Sequence, residues 1–190
     1  VKALPVVSQE DAELGGLLRA AELMAVAART APKARGIDAI RTLLLYGPEE
    51  LEPLAAKMDE IGERTGLGFF KRDANCVRRS KAVLLIGAIS SRPRGLNCAA
   101  CGFPSCSDFE KARDRPVKGF FTGPSCAMAL LDLGIAVGSA VKVASELNVD
   151  NRVMFTVGVA ALELGLLDAD VALGIPLSAT GKNIYFDRKG

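Results

Sequence analysis

The chain has 190 residues, 49% of them hydrophobic and 24% charged, with a formal net charge of +2 and no histidine. That length supports one well-packed domain with a substantial core, and the composition is that of a folded globular protein. The small net charge, two tyrosines, eight phenylalanines and no tryptophan offer neither a general polyanion-binding surface nor a base-stacking platform, so nucleic acid is not an expected partner.

In chain order, VKALPVVSQEDAELGG lacks the basic region, apolar run and small-residue cleavage site of a secretory signal, and a cytoplasmic location is expected. A helix is predicted over Gln9 to Thr30, capped by Ser8 with Asp11 three residues on. AIRTLLLYG reads as a buried strand, and GPEELEPLAAKMDEIGERTG as an amphipathic helix that begins with Pro48 and carries Glu49 and Glu50 at its positive end. GLGFFKRDANCVRRS, read as a short connecting segment, leads to KAVLLIGAIS, whose continuous apolar run suits an interior strand buried on both faces.

Residues 91–126 interrupt this regularity with four of the five cysteines, four of the nine prolines and many cationic side chains. They read as an insertion whose order comes from a ligand more than from a core. A buried helix over 127–147 follows, then strand VMFTVG, a short helix AALELGLL, strand DVALGIP and a tail PLSATGKNIYFDRKG. AMALLDLGIAVGSAVKVASEL contains Asp132, Lys142 and Glu146, and its uninterrupted apolar part is too short to span a bilayer. The expected architecture is a single α+β domain over 1–190, a mixed sheet flanked by helices, with the cysteine segment inserted.

The cysteines are spaced C-x2-C-x4-C-x19-C at Cys98, Cys101, Cys106 and Cys126. Four thiolates are what a [4Fe–4S] cube requires, one per iron, and a tight loop with three ligands closed by a distant fourth supplies them. Gly102 allows a positive φ beside the second cysteine, and Pro104 and Pro124 stiffen the approaches. Zinc uses the same ligands, but structural zinc pairs two short hooks and the second hook is missing. The plant-type [2Fe–2S] order, C-x4-C-x2-C, is the reverse of this one, and simple burial as small hydrophobes, reasonable for a lone cysteine, is a poor account of three clustered in a Gly/Pro loop. Five cysteines, an odd number bunched at one place, favour a metal site in a reducing compartment over a disulfide framework. Cys76 stands apart; Arg72, Arg78 and Arg79 flank it and would lower its pKa, although an unpaired cysteine is more often simply buried. Arg92, Arg94, Lys111, Arg113, Arg115 and Lys118 would offset the cluster's charge and dock an acidic redox partner such as a small ferredoxin, unless they are only a solvated surface.

AAELMAVAARTAPKARGID, FFKRDANCVRRS, GLNCAACGFPSC, GPSCAMALLDLGIAVGSAV and GIPLSATGKNIYFDR resemble the blocks of a family of ferredoxin domain-containing proteins of unknown function. The flanks, from the first helix ending in ARTAP to the closing VALGIP, are similar to the nitroreductase flavoproteins. That second resemblance implies an α+β homodimer with FMN at the subunit interface and a ferredoxin-like cysteine loop wired to the flavin. The arginine-serine-x-arginine start that helps hold the flavin phosphate in nitroreductases is missing, and Lys33, Ala34, Arg35 and Gly36 stand where polar amides are expected. Lys33, Arg35, Lys182 and Arg188 are the cations suited to a flavin phosphate or other anion. Gly134, Ala136, Gly138 and Ala140 would admit a close backbone or a flat ligand, and Gly174, with Ile175 and Pro176, is expected at a strand end where α/β proteins place ligands.

Three functions follow as expectations. The first is a [4Fe–4S] electron carrier or redox sensor of anaerobic-type metabolism. The second is an FMN-dependent oxidoreductase fed by the cluster. The third is a zinc-stabilised scaffold without redox activity. No acid–base or nucleophile constellation points to hydrolysis.

Overall fold

In the computed structural model, residues 6–186 are described. Ser8 opens helix α1 (Gln9–Thr30), its hydroxyl accepting the Asp11 N–H at 3.1 Å. A 3-10 turn at Ala34–Gly36 leads to strand β1 (Ile40–Tyr46). Helix α2 (Pro48–Thr65) starts at its proline and stops at Gly66, where φ is 73°. These elements stand where the sequence places them.

GFFKRDANCVRR, expected as a connection, is helix α3 (Gly68–Arg79), with Phe70, Ala74 and Val77 buried on one face. The apolar stripe is thin and set among charges, so connecting chain and helix read alike there. Strand β2 (Ala82–Ala88) is buried along its whole length. Helix α4 (Cys106–Arg113) and a hairpin of β3 (Val117–Lys118) and β4 (Thr122–Gly123) give the segment over 91–126 regular structure of its own.

Helix α5 (Ala127–Glu146), expected to be buried, is embedded on one side only; Leu131 and Ile135 are 57% and 45% exposed. Ala136 and Ala140 face the core, whereas Gly134 and Gly138 open outward. Among the described residues α5 alone is long and apolar enough to cross a membrane by length and composition, and its inner face packs against α1 and β2. The expected strand VMFTVG is corrected: strand β5 is Asp150–Asn151, and helix α6 begins at Phe155 and runs to Glu163. An aperiodic apolar run is equally compatible with a buried strand and a buried helix. Only Met154 keeps strand character, bridging Gly174. Strand β6 (Val171–Ser178) continues past Gly174, which therefore lies mid-strand and not at a strand end.

The sheet order is β1-β2-β6-β5 and each pairing is antiparallel, not mixed. A continuous apolar run reports burial on both faces, and helical layers provide that whichever way strands run. Alternate side chains of β2 serve opposite layers. Ala82, Leu84 and Ile86 meet α1 and α5, while Val83 and Leu85 meet α2, α3 and α6. β1 is an edge strand and only half-buried. Close approach of α6 to β6 requires Gly158, where an added Cβ would stand 1.8 Å from the Ala172 carbonyl oxygen.

Candidate metal centre

The segment over 91–126 leaves and rejoins the body at one root. The Cys126 N–H donates to the Ser90 carbonyl at 2.8 Å, and the Ser90 hydroxyl donates to that of Ser125 at 2.8 Å. Arg94, 1% exposed, reaches inward and donates through Nε to Asp132 Oδ2 at 3.1 Å. Asp132, itself buried on α5, accepts the Ala34 N–H on its other oxygen at 2.8 Å. Arg35 donates to the carbonyls of Arg94 and Gly95. A second brace comes from Arg113, which donates to the carbonyls of Thr122 and Pro124 and pairs with Asp170 at 3.4 Å. Asp170 also accepts the Ser91 N–H at 2.7 Å.

Between these anchors the loop curls. Asn97, Ala99 and Gly102 have φ of 47°, 57° and 86°, a left-handed conformation that turns a chain back on itself. The Asn97 side chain accepts the Cys106 N–H at 2.8 Å, while its own backbone N–H lies 3.4 Å from the Cys106 sulfur. Cys106 is the first residue of α4, and Cys126 caps α5. Both thiols thus sit at positive helix ends, which favour negative charge. Cys98, Cys101, Cys106 and Cys126 all border one narrow cleft, shared with Arg94, Asn97 and Phe103. Cys126 is buried, Cys101 and Cys106 are half-buried and Cys98 is exposed. Phe103 meets Phe109 edge-on at 5.7 Å, and Phe109, Cys126 and Ala129 form a small local core.

Among the described residues no three His, Cys, Asp or Glu side chains are grouped so as to hold a metal ion. Thiolates on a single zinc, bound at about 2.3 Å, would lie within about 4 Å of one another. Ligands of a four-iron cube each bind a separate corner and stand farther apart. Four thiols around one cleft, with an N–H near sulfur and two helix ends, are a donor set suited to that larger group.

The described residues among the expected flavin or anion contacts do not share a cleft. Lys33 donates to the carbonyls of Arg29 and Ala31, closing α1, and Arg35 holds the cysteine loop. Gly174 is packed under Val157. The Lys182 carbonyl accepts the Thr180 hydroxyl at 2.9 Å, and Arg188 lies outside the described residues. Of the basic residues of the cysteine segment, Arg94 and Arg113 are structural braces and Lys111 pairs with Asp108, leaving Arg92, Arg115 and Lys118 exposed. Cys76 borders a different cleft. Burial, aided by Asp73, raises its pKa against the opposing effect of Arg152, Arg72 and Arg79, so the expected lowering is reversed. Asp132 and Asn97 were missed as site residues, although an acid inside an apolar helix is a legible sign of a buried partner.

Residues 122–188 match the family described as "Uncharacterized protein containing a ferredoxin domain", a stretch that includes Cys126 and follows Cys98, Cys101 and Cys106. A protein of Archaeoglobus fulgidus, described as uncharacterized, is 51% identical over 183 residues, covering 96% of this chain and 97% of its own. Among solved structures, nitroreductase CinD from Lactococcus lactis, in complex with nicotinic acid, aligns with a TM-score of 0.56 at 12% identity, over 96% of this chain and 86% of its own. A Desulfovibrio desulfuricans protein in complex with FMN aligns with a TM-score of 0.51 at 16% identity, over 99% and 83%. The fold is nitroreductase-like.

Proposed function

We propose that this chain, which belongs to the family of uncharacterized proteins containing a ferredoxin domain, is a redox protein that holds a [4Fe–4S] cluster on Cys98, Cys101, Cys106 and Cys126. The observation that carries the reading is the convergence of these four thiols on one cleft. One-electron exchange is the chemistry such a cluster supplies. The chain's part is to bind, orient and tune. Its thiolates supply the ligands, and the Asn97 N–H beside the Cys106 sulfur and the two helix ends favour the more negative, reduced state. Cys98 gives the centre an exposed edge. Arg92, Arg115 and Lys118 suit that side to an acidic redox partner such as a small ferredoxin. The reading includes a cytoplasmic location and an electron-transfer role in anaerobic-type metabolism.

A second reading adds FMN, making the chain an oxidoreductase in which the cluster feeds a flavin. The nitroreductase-like fold favours it, together with the FMN-bound relative. An exposed apolar face, comprising Leu23 and Val26 of α1 and Leu131 and Ile135 of α5, suits pairing with a second copy, so we include a homodimer in the proposal.

Metal, sulfide and flavin analysis of protein purified without oxygen tests both readings. The expected outcome is a brown protein with about four irons per chain that bleaches with dithionite. FMN released by heat or acid would establish the second reading. Cys101→Ala should abolish assembly and Cys76→Ala should leave it intact. A colourless protein containing zinc, or cluster loss in Cys76→Ala alone, overturns the ligand assignment.

A further inference from the structure

Helix α3 presents its cations to two different surroundings. On one side Arg78 is bound by Glu52 at 2.9 Å and Asp59 at 2.8 Å, and Lys71 by Glu63 at 3.2 Å, all three carboxylates belonging to α2. The other side carries Arg72, Asn75, Cys76 and Arg79, spaced three, four and seven residues from Arg72 and therefore on one face. There it borders a cleft of about 210 Å³ completed by Arg152 and the tail residue Tyr185.

Among the described residues no carboxylate borders this cleft. Arg79 is exposed and makes no hydrogen bond or ion pair with any described residue. Arg72 is held by Asp73 at 2.8 Å, but that carboxylate is buried behind it and is also engaged by Thr156 at 2.9 Å. Arg152 is steadied from outside, donating to the Tyr185 carbonyl at 3.4 Å and lying 5.5 Å from the Phe186 ring centroid. Tyr185 is fixed in turn by its hydroxyl, 2.8 Å from that of Ser80. Three arginines thus border one concavity, two of them oriented by the protein, with no counter-charge among the described residues of its walls. Guanidinium forks match the oxygens of phosphate in pairs. The accessible space, about 210 Å³, lies below the range of about 300–1,000 Å³ usual for drug-sized ligands and suits a phosphate group on a small carrier.

We propose that this cleft binds the phosphate group of a phosphorylated small molecule, with Arg72, Arg79 and Arg152 as its cationic clamp. The inference is independent of the cluster, because none of these residues borders the cysteine cleft. Cys76, on the wall of the site, provides the readout: its alkylation by iodoacetamide, resolved by peptide mass spectrometry on the full, metal-containing chain. Inorganic phosphate should slow this labelling with saturation, by about tenfold at ten times the half-saturating concentration, while chloride of equal ionic strength should not. Arg79→Gln, at an exposed position without bonds, should remove the protection while the protein stays folded, and Arg152→Gln should weaken it. Adenosine monophosphate distinguishes the source of the group. Protection at lower concentration assigns an ester, and protection by inorganic phosphate alone assigns the free ion. Equal slowing by chloride, no slowing by either phosphate compound, or full protection retained in both arginine variants overturns the proposal.

Discussion

On β2, Leu84 and Leu85 point into opposite apolar layers, and each is fully buried among other hydrocarbons. In the cysteine segment a charged side chain, Arg94, is buried as deeply as the aromatic Phe109, and the ties that hold the loop to the body are charge pairs and bonds to carbonyls. Its own apolar core is small, centred on Phe109, Cys126 and Ala129. The body is therefore ordered by non-directional burial, proportional to apolar area. The segment is ordered by a few directional contacts whose loss is felt singly, and in the proposal by metal ligation, whose free energy adds directly to folding.

Breaking the directional side gives the largest expected effect. Asp132→Ala removes the partner of a buried arginine and the acceptor of the Ala34 N–H, and loss of one member of such a pair costs about 3–5 kcal/mol. Denaturant unfolding should show that loss, and iron content should fall because the Arg94 end of the loop is released. Unchanged stability and iron loading would mean that the cysteine loop does not depend on this pair. A smaller loss is expected on the apolar side. Gly158→Ala forces a methyl group against the Ala172 carbonyl, and overpacking of this kind costs about 1–3 kcal/mol. It should lower the melting temperature while the folded fraction keeps its full iron content, which separates body from segment.

The same contrast explains what the sequence made legible. Helix α1 was readable because Ser8 and Asp11 form a local cap, and α2 because Pro48 and Gly66 mark its ends. β2 was readable from its unbroken apolar run. These signals lie within a few residues of what they specify. The cysteine spacing likewise identified four residues that share a cleft. Strand direction, the helical state of Phe155–Glu163 and the position of Arg35 depend on packing between distant segments, which no local pattern encodes. Arg35 adopts a φ of 56° and points to the carbonyls of residues 94 and 95, some sixty positions away. The arginine cleft was hidden for a similar reason: its walls come from α3, from Arg152 just after β5 and from the tail, segments far apart in the sequence.

The smallest expected effect concerns the one cysteine outside the segment. Cys76 belongs to the body's apolar layer, and burial raises its pKa above the ordinary thiol value of 9.0, with Asp73 adding to the shift. The thiolate is the reacting form. Near neutral pH, Cys76 should therefore label with iodoacetamide more slowly than a free cysteine thiol. Its rate should go on rising with pH above 9.0, where the free thiol approaches its plateau. The linkage has the matching sign: the folded state retains this proton longer than the unfolded chain, so the associated stabilisation is present below the ordinary value and lost as pH rises through the raised one. A rate profile with its midpoint below 9.0 would show that Arg72, Arg79 and Arg152 outweigh burial at this sulfur.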